Sequence, residues 1–186
     1  DSNFAKSLGV GNGDIKVMKQ EIKESLDQEV EKRVKADLKK QVFQVLIDSH
    51  TMDIPKSLVT MEVNRMMHAA SDNLKKQGAD MKEVKIEREM FEDSAIKTCK
   101  LRIILATLVE ENKLEATQEQ IKSKVVEFSA NFDDIEKAEK WFYDDPKRLD
   151  EPTALSTEDN IVEWFLKECK IKSKKVTFDQ LMAIQA

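Results

Sequence analysis

An all-α, elongated multi-helix fold is predicted by three features of this 186-residue chain. The stretch from Asp14 to His50 holds neither glycine nor proline. Helix-start signals recur downstream, with Thr117 and Thr177 each followed three residues later by a glutamine. No segment carries a sustained apolar-polar alternation of period two, the signal a half-buried strand would leave.

Residues 1–13, with Phe4, Leu8, Gly9, Gly11 and Gly13, read as a flexible leading segment with one small apolar anchor. Asp14 then caps a first helix over 14–50, on the order of 55 Å long at 1.5 Å per residue. That exceeds the roughly 30 Å of a small domain, so the helix should stick out and tie separate packing units together. Its apolar residues Ile22, Leu26, Val30, Val34, Leu38, Val42 and Leu46 recur at every fourth position. Each step gains about 40° on the helical turn, so the stripe winds roughly 240° around the axis and its ends cannot face one flat partner.

Pro55 disfavours helical geometry at Ile54 and opens a second helix to about Gln77, with Gly78 as its C-terminal cap. This helix carries Met61, Met66 and Met67, for which a core position is favoured over a binding surface. A third helix, from about Ile86 to Asn112, is apolar nearly all round in its second half and is expected to be the buried one. The Thr117/Gln120 box starts a fourth helix to about Phe132, and Asp133 and Asp134 start a fifth, stopped by Pro146. Residues 146–156 read as loop or broken helix. Ser156 with Asp159 caps a sixth helix from about Thr157 to Cys169, and a lysine-rich linker leads to a short terminal helix over 177–184.

Charged residues make up 36% of the chain, against about a quarter in a compact domain, so much of each helix must face water. The net charge of -5 disfavours nucleic acid as a direct partner. Cys99 and Cys169 are too far apart for a metal motif and read as reduced, mostly buried thiols. No secretory signal is seen, and the apolar run 103–109 is far short of a membrane span. The chain opens at Asp1 rather than methionine, which suggests a piece of something longer. His50 and His68 stand alone, as surface or helix-end histidines. No nucleophile elbow, phosphate-cradling loop or metal-ligand spacing occurs, so no catalytic, cofactor or metal residue is assigned.

Aromatic residues are only 6% of the chain, yet they cluster, so the cluster is the natural place to look for a surface. Phe128 and Phe132 are four apart and are expected to share a helix face, while Trp141, Phe142 and Tyr143 cannot all point inward. Phe142 and Phe165 are read as core. For Phe128, Phe132 and Trp141 a local core and a surface gripping apolar segments of other proteins are weighed equally.

The string resembles the C-terminal, substrate-binding domain of the bacterial trigger factor family. The resemblance is carried by Phe4 to Gly9, by Asp53-Ile54-Pro55 followed by Leu58 and Glu62, and by Phe91 with Ala95 before the apolar 103–108 run. Trp141-Phe142-Tyr143 with Pro146, and the closing 177–182, complete it. The resemblance implies the trigger factor C-terminal/SurA-like peptide-binding fold, with 14–186 as one helical chaperone domain. Within it, 14–50 would be a linker helix, 55–112 a helical arm, 117–169 a second arm and body, and 177–184 the terminal helix. It further implies an ATP-independent, cytoplasmic chaperone that holds unfolded or nascent polypeptides on dispersed apolar patches.

Positions matching such a patch are Phe128, Phe132, Ala138 and Trp141, with Ala138 smaller than the aliphatic residue expected there. Met66, Met67, Ala70 and Leu74 form a second candidate. The family's Gly-Phe-Arg-x-Gly-Lys ribosome-docking loop and its prolyl isomerase domain do not occur here. Ribosome association and isomerase activity would therefore belong to the parent chain through its other domains, and this part is expected not to be an enzyme. A helical scaffold that docks one folded partner or self-associates along the wound stripe is the rival, with a helical periplasmic chaperone a nearer alternative.

Overall fold

A computed structural model describes residues 14–78, 85–130 and 132–183. The leading segment with its Phe4 and Leu8 anchor, and most of the loop before the third helix, lie outside the described residues. Among those described there is no strand, and the element order is α1 (Ile15–Ser49), α2 (Lys56–Lys76), α3 (Glu89–Asn112), α4 (Gln118–Ser129), α5 (Ile135–Tyr143), a 3-10 turn (Pro146–Leu149), α6 (Asp150–Glu168) and α7 (Phe178–Met182). Contacts divide the described residues into two units, one within Val42–Lys170 and one of 14–41 with 171–183.

Local chemistry sets most of these boundaries. The α1 helix ends where the His50 ring nitrogen Nδ1 donates to the Leu46 carbonyl at 2.7 Å, filling an acceptor that the helix leaves open. Gly78 follows α2 with φ +79°, the left-handed turn that residues with a side chain rarely adopt. Both capping boxes form: Thr117 and Thr177 each accept from the backbone of the glutamine three residues on, and each glutamine reaches back.

Two boundaries differ from expectation. The α6 helix starts at Asp150, not at Thr157, because Pro152 is its third residue, in the first turn, where a missing N–H removes no helical bond. Ser156 is accordingly no cap but a buried residue within the helix, its hydroxyl 3.5 Å from the Gln120 carbonyl. The α4 helix stops at Ser129, so Phe132 lies beyond its end and shares no helix face with Phe128.

The core of the larger unit gathers Val42 and Leu46 from the end of α1, Ile104 from α3, and Ile161 and Val162 from α6. Each such side chain contributes about 1.5–3 kcal/mol by leaving water. Leu105, Leu108 and Phe165 pack around them, so Phe165 is core as expected. Polar ties fix α4 to α6. Lys124 reaches Asp159 at 3.3 Å and Glu127 at 2.8 Å. Burial alone would lower its pKa, but the two carboxylates outweigh that and hold it above the ordinary lysine value. Asn160 donates to the Leu114 and Glu115 carbonyls, pinning the α3–α4 loop.

The α2 and α3 helices pair through Val63, Ala95 and Cys99, all buried. Between them sits Glu62, 3% exposed, receiving hydrogen bonds from Arg65 on its own helix and from Arg102 of α3 at 3.2 Å. The Arg65 bonds, aided by Arg102 and opposed by burial, hold its carboxyl below the usual carboxylate range.

Three burial expectations are corrected. The α3 helix is not buried all round: Ile96 and Ile103 face water, on the side between the faces that α2 and the core cover. Met61 is 67% exposed, while Met66 and Met67 are half-buried, since α2 turns Glu62 and Val63 to its partner instead. Cys169 is exposed beyond the end of α6, whereas Cys99 is buried. In the smaller unit, Leu181 of α7 is buried and Arg33 of α1 donates to the Met182 carbonyl at 3.4 Å. Ile22, Leu26 and Val34 of the stripe are exposed.

Candidate functional site

The aromatic cluster is built on α5 and the turn after it. Asp134 caps α5 by accepting from the Lys137 amide at 3.0 Å. Pro146 opens the 3-10 turn with its φ already restricted, and Asp145 accepts from the Lys147 amide at 3.0 Å. This turn brings Arg148 back over α5. Its guanidinium carbon lies 4.1 Å from the centre of the Trp141 ring, and its Nη1 donates to the Trp141 carbonyl at 2.6 Å.

Behind Trp141 the rings continue inward. Phe142 meets the indole edge-on at 5.2 Å and packs against Phe128 at 6.0 Å on its other side. On the outer side lies an open concavity of about 410 Å³, lined by Phe132, Asp133, Asp134, Lys137, Ala138, Trp141 and Phe142. Phe132 is 57% and Trp141 51% exposed, large apolar surface for a protein to leave wet.

Of the four residues predicted for the first patch, Phe132, Ala138 and Trp141 therefore border one space. Phe128 does not; it is half-buried and supports Phe142 from behind. Phe142, read as core, is buried and also forms part of the floor. Arg148 was missed, and the periodicity of a helix gives no hint of it, since its contact depends on the turn geometry.

The second patch shares one helix face but lines no single space. Met66, Met67, Ala70 and Leu74 are all half-buried on α2, and only Met67 borders a second concavity, of about 270 Å³, with Asn64, His68, Ser71 and Ile86. Among the described residues, no group of three or more His, Cys, Asp or Glu could hold a metal ion, and no helix is long and apolar enough to cross a membrane. The larger concavity has apolar walls and a charged rim. It can cover an apolar side chain.

The family profile described as bacterial trigger factor protein (TF) C-terminus matches residues 14–167. Similar proteins named trigger factor come from Methylobacillus flagellatus, 46% identical over 182 residues and 98% of this chain, and from Laribacter hongkongensis, 40% identical over 183 residues and 98% of the chain. Another, from Chromobacterium violaceum, is 36% identical over 186 residues and the full chain. The chain spans 42–43% of the length of these relatives. With its all-helical architecture and a profile match over most of its length, the chain belongs to the bacterial trigger factor C-terminal family.

Proposed function

We propose that the chain is a chaperone domain that holds unfolded or nascent polypeptide segments, without ATP, on shallow apolar surfaces. The observation that carries the reading is the pairing of half-exposed Phe132 and Trp141 across one open concavity. Membership of the family supports the general role.

Magnitudes argue for several weak contacts rather than one tight site. Two half-exposed aromatic rings offer on the order of 200 Å² to a client, or about 5 kcal/mol gross at 25 cal/mol per Å². Association costs about 4–15 kcal/mol in lost freedom, so this patch alone holds almost nothing. Further patches on the same scaffold, with the Met66, Met67, Ala70 and Leu74 face as one candidate, raise avidity without sequence specificity. Release then needs only competition from the client's own folding. Ribosome attachment and prolyl isomerisation are assigned to other parts of a longer protein, working in the cytoplasm.

The test is suppression of aggregation of a chemically denatured client without nucleotide. The chain should suppress it, and the Phe132→Ala/Trp141→Ala variant should lose most of that effect with unchanged helicity. Phe128 is left intact because its ring supports Phe142. Equal suppression by both proteins would refute the site, and none by either would refute the chaperone reading. The rival scaffold reading draws on exposed Ile22, Leu26 and Val34, and predicts saturable one-to-one binding to a folded partner.

A further inference from the structure

We infer that Arg148 is a positioning residue for Trp141, which covers one face of the indole and presents the other, already ordered, to the concavity. The inference rests on the client-binding reading of that concavity. One guanidinium makes two separate contacts to one residue: its carbon stacks 4.1 Å from the ring centre, and its Nη1 donates to the same residue's carbonyl at 2.6 Å. A planar fork can stack and donate at once, which a lysine ammonium cannot. Arg148 is itself held in place, its own amide donating to the Asp145 carbonyl at 2.9 Å within the proline-initiated turn.

Arg148 does not border the concavity and Trp141 does, so the space meets the part of the indole that the guanidinium leaves uncovered. Phe142, edge-on at 5.2 Å, restrains the ring further. An indole that is 51% exposed would otherwise sample several rotamers and would have to be ordered as each client arrives. Ordering one such side chain in advance is worth about two- to tenfold in affinity.

The test uses fluorescein-labelled, reduced and carboxymethylated α-lactalbumin as a permanently unfolded probe, with binding read by anisotropy. Arg148→Ala should weaken binding about two- to tenfold, by the cost of ordering one side chain. In a Trp164→Phe background, where Trp141 is the sole tryptophan and is excited selectively on the red edge of its absorption, the same change should raise acrylamide quenching and lower the anisotropy of the free protein. Arg148→Lys, which keeps the charge, should restore little of either property, and Arg148→Ala should add nothing once Trp141 is alanine.

Unchanged binding in Arg148→Ala, unchanged quenching, or full rescue by lysine would each overturn the inference. If Phe132→Ala/Trp141→Ala itself binds the probe normally, the client-binding reading fails and carries the inference with it. If that variant is weakened and Arg148→Ala is not, the positioning role alone fails. Circular dichroism confirms that each variant is folded.

Discussion

Replacing Glu62 with glutamine removes the one charge that α2 buries against α3. The carboxylate is 3% exposed, but its partners are not: the side chains of Arg65 and Arg102 are 63% and 64% exposed. Losing the carboxylate therefore returns two arginines to water instead of stranding them, so the 3–5 kcal/mol typical of a broken buried pair does not apply. The Arg65 bonds lie within one helical turn and count for a few tenths of a kcal/mol. The Arg102 bond spans two helices, and a charged hydrogen bond in such a place is worth about 1.5–3 kcal/mol.

Glutamine keeps an oxygen that can accept a neutral-strength bond from Arg102, so Glu62→Gln should lose only part of that sum, about 1–2 kcal/mol at pH 7. Because folding lowers this carboxyl's pKa below its ordinary 4.5, the contribution is complete above that value and is lost as pH falls through the folded value. The gap between wild type and variant should accordingly close on acidification. Urea unfolding followed by tryptophan emission reports on the larger unit, which contains both Trp141 and Trp164. A gap below about 0.5 kcal/mol at pH 7, or one undiminished at pH 3, would refute the reasoning that the charged pairing fastens α3 to α2.

The Ser129 hydroxyl is fully buried and has no hydrogen-bond partner among the described residues, so Ser129→Ala should stabilise by up to about 1 kcal/mol, moving the urea midpoint upward without changing the slope. Lys113 ends α3 at φ +54°, where a side chain is strained and its amide still donates to the Val109 carbonyl. Lys113→Gly keeps that bond and should raise the melting temperature by roughly 2–4 °C, whereas Lys113→Val should lower it.

Helices were legible wherever a short-range signal decides them. The glycine- and proline-free run through Ser49, the left-handed Gly78 and the two glutamine-closed caps are written within a few residues of where they act. What escaped depends on neighbours. The stretch 146–156 read as loop or broken helix, yet α6 runs through it because Pro152 falls in the helix's first turn, a place set by the 3-10 turn upstream. The apolar second half of α3 suggested full burial, but the number of sides covered is a property of packing, which the string does not state. The clustering of aromatics and the family resemblance pointed to Phe128, Phe132, Ala138 and Trp141, of which the last three border the concavity. The guanidinium of Arg148 on the indole needed the chain to double back.

The cap on α5 has a consequence for the character of the concavity beside it. Asp134 spends its carboxylate on the Lys137 amide, so this helix end does not present that amide to a phosphate or a peptide carboxylate. What rests among Phe132, Ala138 and Trp141 would be held by expelled water more than by matched charge. Contacts of that kind respond little to moderate ionic strength and slacken on cooling. On the proposed reading, the grip is a thermal one, firmest in the warmth where unfolded chains stick to one another most readily.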